Sequence, residues 1–290
     1  MSQRWQLALL FSFPLVLLAG LYALGASIPV PVLGRDYVVR MALPDGSATI
    51  GLPDIAGPSD PSRPLVVIDA GHGGPDLGAI TEDYREKTIV LGLARALRDA
   101  LLEEGGVRVA MTRDDDSFIV LEERAEIARA LGADLFLSIH ADSAGDREGV
   151  AGASIYTLSE TASSEAAARF AERENDADII NGVDLSDQDE EVNAILVELS
   201  QRRTSEQSAQ FAELIEREGQ GILRFHPQTQ RSAALAVLRA PDVPGVLFES
   251  GFVTNPVEAE RLASADGRER FAQVMARAIR IYFARQTMQN

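Results

Sequence analysis

The chain has 290 residues, 46% hydrophobic and 24% charged, a balance that suits a globular protein with a sizeable core. A net charge of −17 with no local basic patch makes nucleic acid and anionic membrane surfaces poor partners. There is no cysteine, so disulfides and thiolate metal sites are excluded, and any metal must be held by His and carboxylate.

In chain order, Arg4 precedes about twenty nearly uncharged residues, Leu7 to Ala26, enough for a helix to span a bilayer. Residues 1–27 are expected to be a cleaved secretory signal or a retained N-terminal membrane anchor, and either exports the remainder of the chain to the periplasm. Residues 28–63, rich in Pro, Gly, Asp and Ser, are expected to be a linker.

From residue 64 to 286 apolar strands alternate with helical patterns. Leu65 to Ile68 is a continuous apolar run, as in a strand buried on both faces, and it breaks into Asp69-Ala70-Gly71-His72-Gly73-Gly74. A helix is expected over Glu86 to Glu104, with Leu93, Leu97 and Leu101 spaced by four and Gly105-Gly106 as its stop. Val107 to Thr112 reads as the next strand. Asp114 to Ser117 offers N-caps for a helix running to Leu131. Further strands are expected at Asp134 to His140, Val150 to Thr157, Leu235 to Leu238 and Gly245 to Phe248, with a last helix over Arg268 to Ala284. The fold class is α/β, a mostly parallel twisted sheet flanked by helices in a phosphorylase/hydrolase-like arrangement. Residues 159–225 interrupt it with an acidic helical insertion: helices over Ser164 to Glu174, Glu190 to Leu199 and Ser205 to Leu223, the last with Ile222 facing inward.

The chemistry gathers at strand ends. His72 follows the first strand, His140 ends the third, and Glu249 ends the last core strand (VLFESGF). Ligands bind at the carboxyl ends of strands in open α/β sheets, so the three converge in one cleft. Glu86, opening the first long helix, can face the same edge. Two imidazoles and a carboxylate suit zinc, with a fourth position for water. Glu249 is then free to relay the proton from water to a leaving amine. His226, before Pro227, reads as a loop residue. GHGG lacks the Lys and Ser/Thr of a phosphate-binding loop.

The blocks VVIDAGHGGPDLGA, Arg85-Glu86-Lys87, SIHAD around His140 and FESGFVTNP around Glu249 resemble, in order, those of the zinc-dependent N-acetylmuramoyl-L-alanine amidases, over about Leu65 to Phe283. The resemblance implies His72, Glu86 and His140 as ligands of Zn2+ and Glu249 as the catalytic carboxylate. It implies peptidoglycan as substrate, cut between N-acetylmuramic acid and L-Ala, in wall remodelling and daughter-cell separation. In the cell-division branch a helix covers the zinc until an activator with a LytM-type domain withdraws it. The segment SSEAAARFAERENDADIINGVDLSD resembles that helix, with Glu165 the better regulatory candidate and Glu174 the other. Residues 28–63 are too short for the branch's wall-targeting β-domain, which makes an N-terminal anchor more attractive. Two other readings remain: a zinc peptidase acting on stem-peptide bonds, and a metal-free peptidoglycan-binding protein.

Overall fold

A computed structural model of the chain describes residues 51–145, 149–176, 179–180, 183–184 and 194–289. The signal or anchor expected over 1–27 lies outside them, as does the first part of the expected linker. No helix among the described residues is long and apolar enough to cross a membrane.

In order the elements are β1 (Leu65–Ala70), α1 (Glu86–Glu104), β2 (Arg108–Met111), α2 (Leu121–Ala130), β3 (Leu135–Asp142), β4 (Ala153–Leu158), α3 (Glu165–Asn175), β5 (Ile179–Ile180), β6 (Val183–Asp184), α4 (Ala194–Gly219), β7 (Phe225–Ala233), a 3-10 turn (Ala236–Leu238), β8 (Gly245–Phe252), α5 (Pro256–Ala263) and α6 (Ala265–Gln289). One six-stranded sheet runs β2-β1-β3-β8-β4-β7, and β5 and β6 pair separately. Every pairing in the large sheet is parallel except β4 with β8.

The alternation of β1 explains why its run is apolar throughout. Val66, Ile68 and Ala70 join a core with α1, α4 and α6, whereas Leu65 and Val67 join one with α2, α3 and the 3-10 turn. The second face is the one that carries the chemistry. Asp69 follows Val67 on it, Ser138 is in register with Asp69, and His140 lies two residues further along β3.

α1 has the expected bounds, with Leu93, Leu97 and Leu101 fully buried. Gly105, at φ 71°, ends it, donating its N–H to the Leu101 carbonyl at 2.9 Å. Elsewhere tertiary contacts override the local pattern. α2 starts only at Leu121, without a side-chain cap, because the aspartates before it are engaged elsewhere. Asp114 pairs with Arg95 and Arg98, and Asp116 with Lys87. The stretch expected as a strand over Leu235 to Leu238 holds the 3-10 turn Ala236–Leu238 instead. The outer strand is the polar segment Phe225–Ala233, whose Pro227 suits an edge position. His226 is therefore a strand residue. The expected second and third helices of the insertion lie, where described, in one helix, α4, and Ile222 falls beyond its end and is 36% exposed. Residues 190–193 lie outside the described residues. Part of the expected linker also joins the fold: Ala56 exchanges backbone hydrogen bonds of 2.8 and 2.9 Å with Val109 at the sheet edge.

Candidate metal centre

β1 ends in a turn that would be strained without support. His72 has φ 58°, a left-handed conformation that costs a non-glycine residue roughly 1–3 kcal/mol. Two buried arginines hold it. Arg113 donates from Nε to the Ala70 carbonyl at 2.7 Å and from Nη2 to Gly71 at 2.6 Å. Arg124 donates to Ala70 at 2.9 Å and to His72 at 2.8 Å, and pairs with Asp69 at 2.8 Å. Asp69, fully buried, also accepts from Thr112 at 2.6 Å and Ser138 at 2.7 Å. Burial would raise its pKa, but Arg124 and the Thr112 and Ser138 hydrogen bonds together hold it below the usual carboxylate range.

The side chains then close on one another. His72 Nδ1 lies 2.7 Å from Asp76 Oδ2, which turns Nε2 inward. Glu86 accepts from the backbone N–H of Ala141 on Oε1 and of Ala79 on Oε2, both at 2.8 Å. Its Oε1 lies 3.0 Å from His72 Nε2 and 3.2 Å from His140 Nδ1. Two glycines make the approach possible. A Cβ on Gly71 would lie 2.4 Å from the His140 ring, and one on Gly78 would lie 2.6 Å from Glu86 Oε2.

A fourth group arrives from the insertion, and it is Glu174. Its Oε2 lies 3.2 Å from His140 Nδ1 and 3.9 Å from His72 Nε2. Glu165, the carboxylate favoured from the sequence, sits at the outer start of α3, 86% exposed and paired with Arg169. Helical periodicity explains the exchange. Ala167, Phe170, Ala171 and Glu174 form the buried stripe of α3, and Glu165 falls off it. Ser164 caps the helix by accepting from Ala167 N–H at 3.1 Å, Phe170 stacks on Tyr156 at 4.3 Å, and Arg173 pairs with Asp142. At its other end Asn175 donates to Ala234 and accepts from Ala236, both at 2.8 Å.

The donor set fits a cation. One donor atom each from His72, His140 and Glu174 lie within 4.8 Å of one another, and Glu86 is against both rings. His72 Nε2 and His140 Nδ1 are buried without a hydrogen-bond partner among the described residues, the condition of nitrogens set for a ligand. The field has the same sense. Burial disfavours protonated His72, yet Glu86 and Asp76 outweigh it and push it up to about 10. His140 is likewise pushed to about 10, by Glu174 and Glu86 against burial. The cluster thus favours positive charge at its centre.

Glu249 stands beside this group, in register with His140 across β3 and β8. It is 2% exposed, and neither oxygen has a partner among the described residues. Burial, then the charges of Asp142, Glu86 and Glu174, hold its pKa well above the usual carboxylate range against the pull of Arg173. Burial likewise pushes Asp142 up to about 7. A cavity of about 350 Å³ opens here, lined by His72, Asp76, Glu86, Asp142, Arg173 and Glu174 among others. The expected His72, Glu86 and His140 come together with Glu249 nearby. Arg113, Arg124 and Asp76 complete the site.

Residues 66–280 match the family model described as N-acetylmuramoyl-L-alanine amidase. The chain is 40% identical over 224 residues to the N-acetylmuramoyl-L-alanine amidase AmiA of Salmonella typhimurium, covering 77% of each. It is 37% identical over 225 residues to AmiC of Escherichia coli, covering 77% of this chain and 54% of that one. Among solved structures, AmiC2 of Nostoc punctiforme is similar at 28% identity and a TM-score of 0.53, over 77% of this chain and 98% of that one.

Proposed function

The chain belongs to the N-acetylmuramoyl-L-alanine amidase family, and from that premise we propose that it is a zinc-dependent peptidoglycan hydrolase. The bond cut is the amide between the lactyl group of N-acetylmuramic acid and L-Ala of the stem peptide, in wall remodelling and daughter-cell separation. The observation that carries the metal is the pair of unpartnered ring nitrogens turned onto buried carboxylate oxygens. His72, Glu86 and His140 would hold the ion, with Glu174 at the remaining position while α3 is docked. When bound, zinc supplies Lewis acidity, polarising the scissile carbonyl and making water a nucleophile near neutral pH.

The chain's own residues do the rest. Asp76 fixes the His72 tautomer through Nδ1, and the backbone N–H groups of Ala79 and Ala141 fix the Glu86 plane. Glu249 takes a proton from the attacking water and delivers it to the departing nitrogen of L-Ala. The C–N bond breaks, leaving a lactyl carboxylate and a free amine, and no covalent enzyme intermediate is needed.

Glu174 makes the docked state the resting one, because a carboxylate in the open position excludes water. By the family resemblance, a partner with a LytM-type domain opens the site by binding the undocked state better. The acidic chain works on the periplasmic side of the inner membrane, exported by residues 1–27. The deciding experiment is product analysis on purified murein. Free muramyl lactyl groups and intact peptides headed by L-Ala are expected; shortened peptides still joined to the glycan would mean a peptidase, and no products a binding protein.

A further inference from the structure

Three polar residues form a row across β3, β8 and β4. His140 is in register with Glu249, and Glu249 with Ser154. Residues opposite one another on paired strands share a face, with Cβ atoms about 4.5–5.5 Å apart. Ser154 is 2% exposed, and its Oγ has no hydrogen-bond partner among the described residues, the same state as both oxygens of Glu249. A buried hydroxyl left unpaired costs stability, and alanine would fill this place between Ala153 and Ile155 without that cost. The register with β7 shifts between Ala153 and Ile155, so Ser154 has no partner on that strand. An unsatisfied donor thus sits directly across from an unsatisfied acceptor.

We propose that Ser154 is a positioning residue for Glu249. Its hydroxyl donates to one carboxylate oxygen during the reaction and leaves the other turned toward the cleft. This rests on the reading of Glu249 as proton carrier. A turn of the serine from one staggered rotamer to another re-aims the hydroxyl without moving the backbone. Glu249 gains the proton from water and loses it to the leaving nitrogen on its free oxygen. Ser154 keeps its own proton throughout, so the proton count closes.

The test uses the full-length zinc-loaded chain and a soluble N-acetylmuramoyl-peptide. Ser154→Ala should lower kcat about tenfold, the scale of one hydrogen bond to a charged group, and leave KM within about twofold. Ser154→Thr, which keeps the hydroxyl and suits a strand, should restore most of kcat. Ser250→Ala removes another buried unpaired hydroxyl, that of the next residue along β8, and should leave kcat unchanged. The infrared carboxyl band of Glu249, identified by its disappearance in Glu249→Gln, should shift in Ser154→Ala. An unchanged kcat with an unshifted band in Ser154→Ala overturns the proposal, as does equal loss in the Ser154 and Ser250 variants. If Ser154→Ala does not fold, Ser154→Cys, with a weaker donor, should give an intermediate kcat; wild-type kcat there counts against the proposal. Wild-type turnover by Glu249→Gln removes the proton-carrier reading and this proposal together. An inactive Glu249→Gln beside an unaffected Ser154→Ala removes this proposal alone.

Discussion

The turn after β1 and the helix α3 close on the same cluster from opposite sides, but they are secured differently. In the turn, three successive carbonyls, of Ala70, Gly71 and His72, each accept from the buried guanidinium of Arg113 or Arg124. Asp69 beneath them is fully buried with three partners. α3 is fastened by one cap at Ser164, one aromatic stack at Phe170, one clamp at Asn175 and the ion pair of the half-exposed Arg173. Burying Phe170 stabilises docking by roughly 1.5–3 kcal/mol, whereas separating a buried ion pair such as Arg124–Asp69 costs about 3–5 kcal/mol. The side chains on the turn and α1 are thus held more firmly than Glu174 on α3.

The largest effects should come from the persistent side. Glu249→Gln is expected to keep fold and metal and to lose about 10²–10⁴-fold in turnover, because an amide cannot accept and return the proton. His140→Ala should lose zinc and activity together, read by metal analysis of the purified variant. Near-stoichiometric zinc in both His72→Ala and His140→Ala would remove these residues from the ligand set. Arg124→Met tests the support rather than the ligands. It leaves Asp69 buried with only Thr112 and Ser138, and should lower stability by roughly 3–5 kcal/mol in urea unfolding. An unchanged midpoint would mean that the turn does not depend on that guanidinium.

The same contrast governs what could be read from the sequence. His72 follows β1, His140 and Glu249 lie toward the carboxyl ends of β3 and β8, and Glu86 opens α1, so the strand and helix pattern put them near one edge. Arg113 and Arg124 look like ordinary surface cations in the sequence. Their burial depends on carbonyls that become available only once the Gly71–His72 turn exists. A signal was present at Arg124, which falls with Leu121, Ala125 and Ala128 on the apolar stripe of α2. β7 was hidden because an edge strand paired on one side needs little apolar sequence, and Phe225–Ala233 has few apolar residues. Glu165 and Glu174 are both acids on one short helix, and the buried stripe through Ala167, Phe170 and Ala171 turns Glu174 rather than Glu165 inward.

On the removable side the effect should be smaller and of opposite sign. Glu174→Ala takes away the only carboxylate that α3 brings to the cluster among the described residues, while the cap, stack and clamp remain. If that contact contributes about 1.4 kcal/mol to docking, basal murein hydrolysis should rise about tenfold without a partner. Unchanged or lower hydrolysis in a folded, zinc-loaded Glu174→Ala protein would make α3 a packing element rather than a lid.

Glu165→Ala should do least, and that makes it the sharpest control. Its carboxylate is 86% exposed and touches Arg169 one turn along the same helix, a pair of the kind that contributes little in water. Nothing in its position couples it to the cluster, since the buried stripe passes through Ala167, Phe170, Ala171 and Glu174. Basal hydrolysis and zinc content should therefore match the wild type, beside the raised activity of Glu174→Ala in the same assay. A rise in Glu165→Ala equal to that in Glu174→Ala would show that any loss of negative charge from α3 loosens it. The specific contact between Glu174 and His140 would then not be what holds the helix in place.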